Sequence, residues 1–235
     1  ESCYPNAAEQ PAALLYTTGT TGDPKGVMLT HAGFAWYADV SREFRGLSEH
    51  DHVYCALPTT HVFGFASAFL GSLNVGAKLQ LASRFDPASA FAAISDGVTV
   101  LPAVPAMYAQ LLDYAEQQGW HSPPKSRMRF MTTGGAPLDP DWKERVQKFF
   151  KVPLANGYGM TECSPGIAAS IDLRLSTETN RDVSCGPPMR DLEVKVVPAP
   201  GKTELVDGIG EILVKGPNLM LGYYKNPDAT AAVID

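Results

Sequence analysis

The chain has 235 residues, 45% hydrophobic and 19% charged, enough to bury a core as one large or two small domains. Its formal net charge of -6, with neither basic runs nor a basic stripe, excludes a general nucleic-acid or acidic-membrane surface, so any anion site has to be local. No apolar stretch reaches the length of a transmembrane segment, and the opening ESCYPNAAEQ lacks the regions of a signal peptide; a cytoplasmic location is expected.

In chain order, the apolar run from Ala12 to Tyr16 predicts a buried strand that delivers the stretch YTTGTTGDPKGV at its carboxyl end, where α/β sheets bind ligands. Gly19, Gly22 and Gly26 permit turns that aim several N–H groups at one concavity. Thr17, Thr18, Thr20 and Thr21 add rotatable hydroxyl donors, and Lys25 adds a compact positive charge. Together these residues predict a phosphate cradle. Because Lys25 precedes Gly26 and Val27 follows, the stretch departs from the Walker A order, and an ordinary P-loop NTPase loses weight. A flexible Gly/Thr linker is the bland alternative, opposed by the strand leading in and by a helix leading out after Thr30, a good N-cap before HAGFAWYADV.

From about residue 52 to 158, short β-rich runs (HVYCAL, AKLQLA, GVTVL, MRFMTT, VPLAN) alternate with helical ones, which is the rhythm of βαβ units. Asp86-Pro87 and Asp139-Pro140 each predict a helix start, and PAMYAQLLDYAEQQG predicts a helix ending at Gly119. Beyond residue 185, DLEVKVV and GEILVKG alternate like half-buried strands separated by turn residues. The expected fold is α/β: a largely parallel sheet flanked by helices over residues 1–180, followed over 181–235 by a smaller β-rich, barrel-like segment. The boundary is expected between Ile167 and Pro187.

Two further strand-end loops carry chemistry. In NGYGMTE, Asn156, Gly157 and Gly159 allow close approach of a ligand, Tyr158 offers a flat face to a heteroaromatic ring, Thr161 follows Met160 as a donor to phosphate, and Glu162 is a hard oxygen ligand for Mg²⁺. Gly134, Gly135, Ala136 and Pro137 of GGAPL leave room for a planar ligand against the backbone. Each alone also reads as a tight turn; three on one edge argue for a nucleotide. His61, within LPTTHVFGF, is open to two readings, a satisfied core histidine or a site residue. Cys3, Cys55, Cys163 and Cys185 form no C-x-x-C pair and the histidines show no metal spacing, so neither a zinc site nor a disulfide framework is predicted. Trp36, Trp120 and Trp142 are read as packing residues.

The motifs YTTGTTGDPKGV, GGAPL and NGYGMTE, with GEILVKGPNLMLGYYKNPDAT as a fourth, closely resemble the adenylate-forming superfamily of acyl-CoA synthetases, nonribosomal-peptide adenylation domains and firefly luciferase, over essentially the whole chain. The resemblance implies a two-step reaction: a carboxylate attacks the ATP α-phosphate, giving acyl-AMP and pyrophosphate, and a thiol then displaces AMP. It implies that Thr17 to Lys25 embrace pyrophosphate, that Gly134 to Pro137 and Tyr158 enclose adenine, that Thr161 meets the α-phosphate, that Glu162 binds Mg²⁺, and that His61 borders the acyl pocket and the thiol tunnel. The implied partners are ATP, a carboxylic acid and coenzyme A, or the phosphopantetheine of a carrier protein.

Two departures bear on this expectation. THVFGF lacks the aspartate that amino-acid-activating members use, which disfavours an amino-acid substrate and leaves a fatty or aryl acid. The family's ribose-binding Tyr-x-Thr-Gly-Asp motif and its C-terminal domain with the adenylation lysine are absent, so the chain reads as a central fragment, expected to be nearly inactive alone. The alternatives are an acyl-AMP ligase that loads a carrier protein, and a nucleotide-binding module without catalysis.

Overall fold

The computed structural model describes residues 7–18, 23–170 and 181–234. At its centre is a sheet of β3 (His52–Cys55), β4 (Lys78–Leu81), β5 (Val100–Pro102), β6 (Phe130–Gly134), β7 (Leu154–Gly159) and β8 (Gly166–Ala169), in the order β4-β3-β5-β6-β7-β8. The pairings from β4 to β7 are parallel, and β8 is antiparallel to β7. The parallel core follows from the alternation of strands with helices, since a parallel pair needs a long crossover. The crossovers are a π-helical segment (Phe63–Leu70) with α2 (Gly71–Val75), then α3 (Pro87–Ser95), α4 (Pro105–Gln117) and α5 (Pro140–Phe150), taking α1 as His31–Arg45.

Local chemistry sets these helix ends as expected. Asp86 Oδ2 accepts from Ser89 N–H at 2.8 Å, Asp139 Oδ1 from Asp141 N–H at 2.8 Å, and Thr30 Oγ1 from Gly33 N–H at 2.9 Å, each satisfying a donor that a helix start would leave unpaired. Gly119 turns the chain after α4 at φ 71°, where a side chain would be strained.

Period-two alternation divides the sheet's side chains between two layers. Tyr54, Leu101, Met131 and Leu154 face the cluster built with α3, α4 and α5, whereas Val53, Val100, Phe130 and Ala155 face the opposite side with Leu47 and Leu79. Each fully buried side chain of this kind contributes roughly 1.5–3 kcal/mol. Tyr108 Oη ties α4 to two strands, donating to Leu101 O at 2.6 Å and lying 3.1 Å from Thr132 O. Trp120 packs edge-on against Phe91, in line with its reading as a packing residue.

The amino-terminal strand departs from expectation. β1 (Pro11–Thr18) does not lead through its loop into a helix; it turns back as an antiparallel hairpin with β2 (Pro24–Thr30), placing Thr17 opposite Lys25. Only then does α1 begin. Nor is β1 fully buried: Leu14 and Tyr16 are exposed, because β1 is an edge strand of a separate sheet, β1-β2-β11, with β11 at Gly222–Tyr223. The described ends of the phosphate-loop candidate, Thr17 and Lys25, therefore belong to a sheet separate from the large one.

β9 (Glu193–Val197) and β10 (Glu211–Lys215) pair antiparallel, as the alternation in DLEVKVV and GEILVKG predicts. A short helix, α6 (Pro227–Ala231), closes the description. No helix among the described residues is long and apolar enough to cross a membrane.

Candidate functional site

The ends of β6 and β7 lie side by side, with Gly134 paired to Gly157. A Cβ on Gly134 would stand 3.0 Å from Gly157 O, and one on Gly159 would stand 1.8 Å from Pro165 O. At Gly159 only hydrogen fits, which is the physical reason for that glycine. Gly135 follows at φ 76°. These strand ends form one wall of a cavity of about 420 Å³.

Of the candidate residues named from the sequence, Thr17, His61, Gly134, Gly135, Asn156, Gly157, Tyr158, Gly159, Met160, Thr161 and Glu162 line this one cavity. Lys25, Ala136 and Pro137 stand outside its lining. Gly19, Thr20, Thr21 and Gly22 lie outside the described residues, and for Thr18 the backbone pairing with Pro24 is what is described. Tyr158 is partly exposed and brings an aromatic ring to the cavity lining. Asn156 is buried, and its Nδ2 donates to Val183 O at 2.8 Å, so the amide holds the 183–185 segment in place.

His61 is not a core residue. It is exposed at the cavity, and its Nδ1 accepts from Phe63 N–H at 3.1 Å, which leaves the ring proton on Nε2 in the neutral form. The same hydrogen bond caps the start of the π-helical segment. Gly64 makes this turn possible, since a Cβ there would meet Pro58 O at 2.4 Å.

Glu162 and Lys25 are joined through a residue that the sequence reading did not single out. Tyr223 Oη donates to Glu162 Oε1 at 2.8 Å, and Lys25 Nζ lies 5.1 Å from the centroid of the same ring. Burial, together with donation to the Glu162 carboxylate, pushes the Tyr223 phenol up to about 12, so it remains a donor throughout the neutral range. Met220 N–H also donates to Glu162 O at 2.9 Å, holding the backbone of the turn Thr161–Cys163. Asn218, fully buried, donates from Nδ2 to Cys163 O at 2.9 Å and to Gly166 O at 2.8 Å. Both Asn218 and Tyr223 fall within the fourth motif, GEILVKGPNLMLGYYKNPDAT, where their spacing alone said nothing of what they would touch.

The cavity lining also carries a polar cluster missed from the sequence. Tyr37 Oη and Ser67 Oγ are 2.6 Å apart, and Arg45 Nη1 donates to Ser67 O at 2.7 Å. All three residues are buried and line the cavity. Thr132 and Thr133, on β6, line it as well. The cavity thus offers glycine-edged backbone beside an aromatic face, hydroxyls, one carboxylate, and a neighbouring lysine. That set suits a planar base with a charged tail.

The family described as "AMP-binding enzyme" matches residues 2–224. The chain is 35% identical over 230 residues to 4-coumarate–CoA ligase 1 of Arabidopsis thaliana, covering 95% of this chain and 40% of that protein. It is 32% identical over 237 residues to 4-coumarate–CoA ligase 5 of rice, Oryza sativa subsp. japonica, covering 98% of this chain and 43% of that one. It therefore spans about two-fifths of the length of these relatives. Among solved structures, o-succinylbenzoate CoA synthetase (MenE) of Bacillus subtilis in complex with AMP superimposes with a TM-score of 0.82 at 31% identity, covering 97% of this chain and 45% of that one. ATP-bound MatB of Rhodopseudomonas palustris gives a TM-score of 0.81 at 29% identity, with 96% and 43% covered. With the glycine-edged loops gathered on one cavity and the family match running over nearly the whole length, the chain belongs to the AMP-binding enzyme family.

Proposed function

We propose that the protein containing this chain is an AMP-forming acid–thiol ligase, which activates a fatty or aryl carboxylic acid with ATP and transfers the acyl group to coenzyme A. The observation that carries the reading is the convergence of Thr17, Gly134–Gly135, Tyr158 and Thr161–Glu162 on a single cavity. The names of the relatives, CoA ligases and a CoA synthetase, support the same reaction, and 4-coumarate is an aryl acid. A carrier-protein phosphopantetheine is the alternative acceptor; parallel thioester assays with the two thiols separate them.

In this reading Tyr158 stacks on adenine beside the Gly134–Gly135 backbone, with Ala136 and Pro137 continuing the rim. The Thr161 hydroxyl meets the α-phosphate. Thr17 to Lys25 hold pyrophosphate, with Lys25 positioned over Tyr223. His61, with its Nε2 proton, borders the paths of acid and thiol. In-line attack adds negative charge to oxygens already negative, so the residues serve by positioning and neutralising.

Mg²⁺ fits the donors present. Glu162 lines the cavity with one oxygen fixed by Tyr223, and Mg²⁺ is commonly held by one or two carboxylates with substrate phosphates completing its shell. Among the described residues there is no cluster of three or more His, Cys, Asp or Glu, so those phosphates would be needed. When bound, the ion would draw charge from the phosphate oxygens.

The test is carboxylate-dependent exchange of labelled pyrophosphate into ATP by the intact protein. Exchange with at least one aliphatic or aromatic acid is expected; silence across a broad panel overturns the reading.

A further inference from the structure

We infer that the acid enters this cavity with a second carboxylate at its far end, and that Arg45 receives it. The inference rests on the ligase reading above and names its substrate class: dicarboxylic acids.

Arg45 closes the last turn of α1. It is only 4% exposed, yet it lines the cavity. The π-helical wall that begins beside His61 leads to it, since Phe63 and Ser67 line the same cavity and Ser67 O accepts from Arg45 Nη1 at 2.7 Å. Nη2 reaches only Tyr37 Oη at 3.4 Å, and Nε has no partner among the described residues. None of the ion pairs among those residues includes Arg45.

A guanidinium carries five N–H donors and does not lose its proton, so its burial without a carboxylate is strongly unfavourable. Two local features offset part of this. These are the negative end of α1 and the face of Phe44, 5.1 Å from Cζ. Neither supplies an acceptor to Nε. The same cavity is also lined by the buried Thr132, on the Phe130 face of β6, whose Oγ1 is likewise without a partner among the described residues. Unmet donors of this number around one space require explanation. An alkyl or plain aryl tail would leave every one unmet. A carboxylate is the complement: two oxygens in the plane of the guanidinium fork, with lone pairs left for hydroxyls.

The experiment compares pyrophosphate exchange by the intact protein on length-matched pairs, each a monocarboxylic acid and its counterpart with a distal carboxyl, across aliphatic and aryl series. For at least one pair the diacid is expected to exceed its partner about tenfold in kcat/KM, the effect of one charge-assisted contact. Arg45→Met should then lower that ratio about thirtyfold, and Arg45→Lys should restore part of it. A merely structural Arg45 would lower both acids of a pair together, leaving the ratio unmoved, and that result overturns the inference. So does a preference for the monoacid in every pair, which leaves the ligase reading standing. Silence of the whole panel overturns the ligase reading and this inference with it. Should Arg45→Met fail to fold, the wild-type ratios and the isosteric Thr132→Val, expected to lower the ratio a few fold, still decide.

Discussion

The Tyr223 hydroxyl donates to Glu162 Oε1 at 2.8 Å, so a strand of the small antiparallel sheet orients the carboxylate in the turn between β7 and β8 of the large one. Tyr223→Phe removes that bond while keeping the ring beside Lys25. A hydrogen bond to a charged oxygen is worth about 1.5–3 kcal/mol, so kcat/KM for ATP in pyrophosphate exchange is expected to fall about tenfold or more. Because the phenol is pushed up to about 12, the pH profile of the unaltered protein should show no Tyr223 ionisation up to about pH 10. A change below twofold in the variant would show that Glu162 needs no such orientation.

Glu162→Gln keeps the shape and an acceptor for Tyr223 but removes the charge. If Glu162 holds Mg²⁺, exchange should drop about a hundredfold and the Mg²⁺ concentration for half-maximal rate should rise. A Mg²⁺ titration that superimposes on that of the unaltered protein would relieve Glu162 of the role.

Gly159→Ala places a Cβ within 1.8 Å of the Pro165 carbonyl oxygen, a backbone atom that cannot swing aside. The strand end and the turn holding Thr161 must then separate, and we expect a loss of about 3 kcal/mol or more in stability together with loss of AMP binding. Gly46→Ala is the comparison: Gly46 sits at φ 56° with open space around it, so its cost, about 1 kcal/mol, is backbone strain alone. Denaturant midpoints of the two variants measure the difference.

Asp51 is 3% exposed and accepts from Arg129 Nε at 2.6 Å, while Arg129 Nη2 reaches Gly46 O at 2.8 Å, tying the end of α1 to the approach of β6. Burial works against the ionised carboxylate, yet hydrogen bonds from Arg129, Thr99 and the Ser48 N–H outweigh it and hold Asp51 below its ordinary value of 3.8. The folded state therefore binds this proton less readily than the unfolded chain. Its stabilisation is complete above the unfolded value and is lost as pH falls through the lower folded value. Asp51→Asn is expected to lower stability at pH 7 by about 2 kcal/mol, below the usual range for a buried pair because Arg129 reaches water, and the gap between the two proteins should narrow below about pH 4. Chemical denaturation at pH 7 and pH 3 checks both statements.

Much of this protein is legible in its sequence because the relevant forces are local. The alternation of short β-rich runs with helical ones and the Asp-Pro helix starts account for the parallel core, and steric demands at Gly159 and Gly135 account for the loops that edge the cavity. The hairpin of β1 and β2 was hidden, since an apolar run such as Ala12 to Tyr16 gives the same signal whether it is buried within a sheet or lies at its edge. Tertiary structure alone decided that Tyr223 meets Glu162 across 61 residues and that Arg45 meets Ser67 across 22. Those partnerships arise when separately specified elements pack face to face, and no periodicity or cap within either segment carries a record of the other.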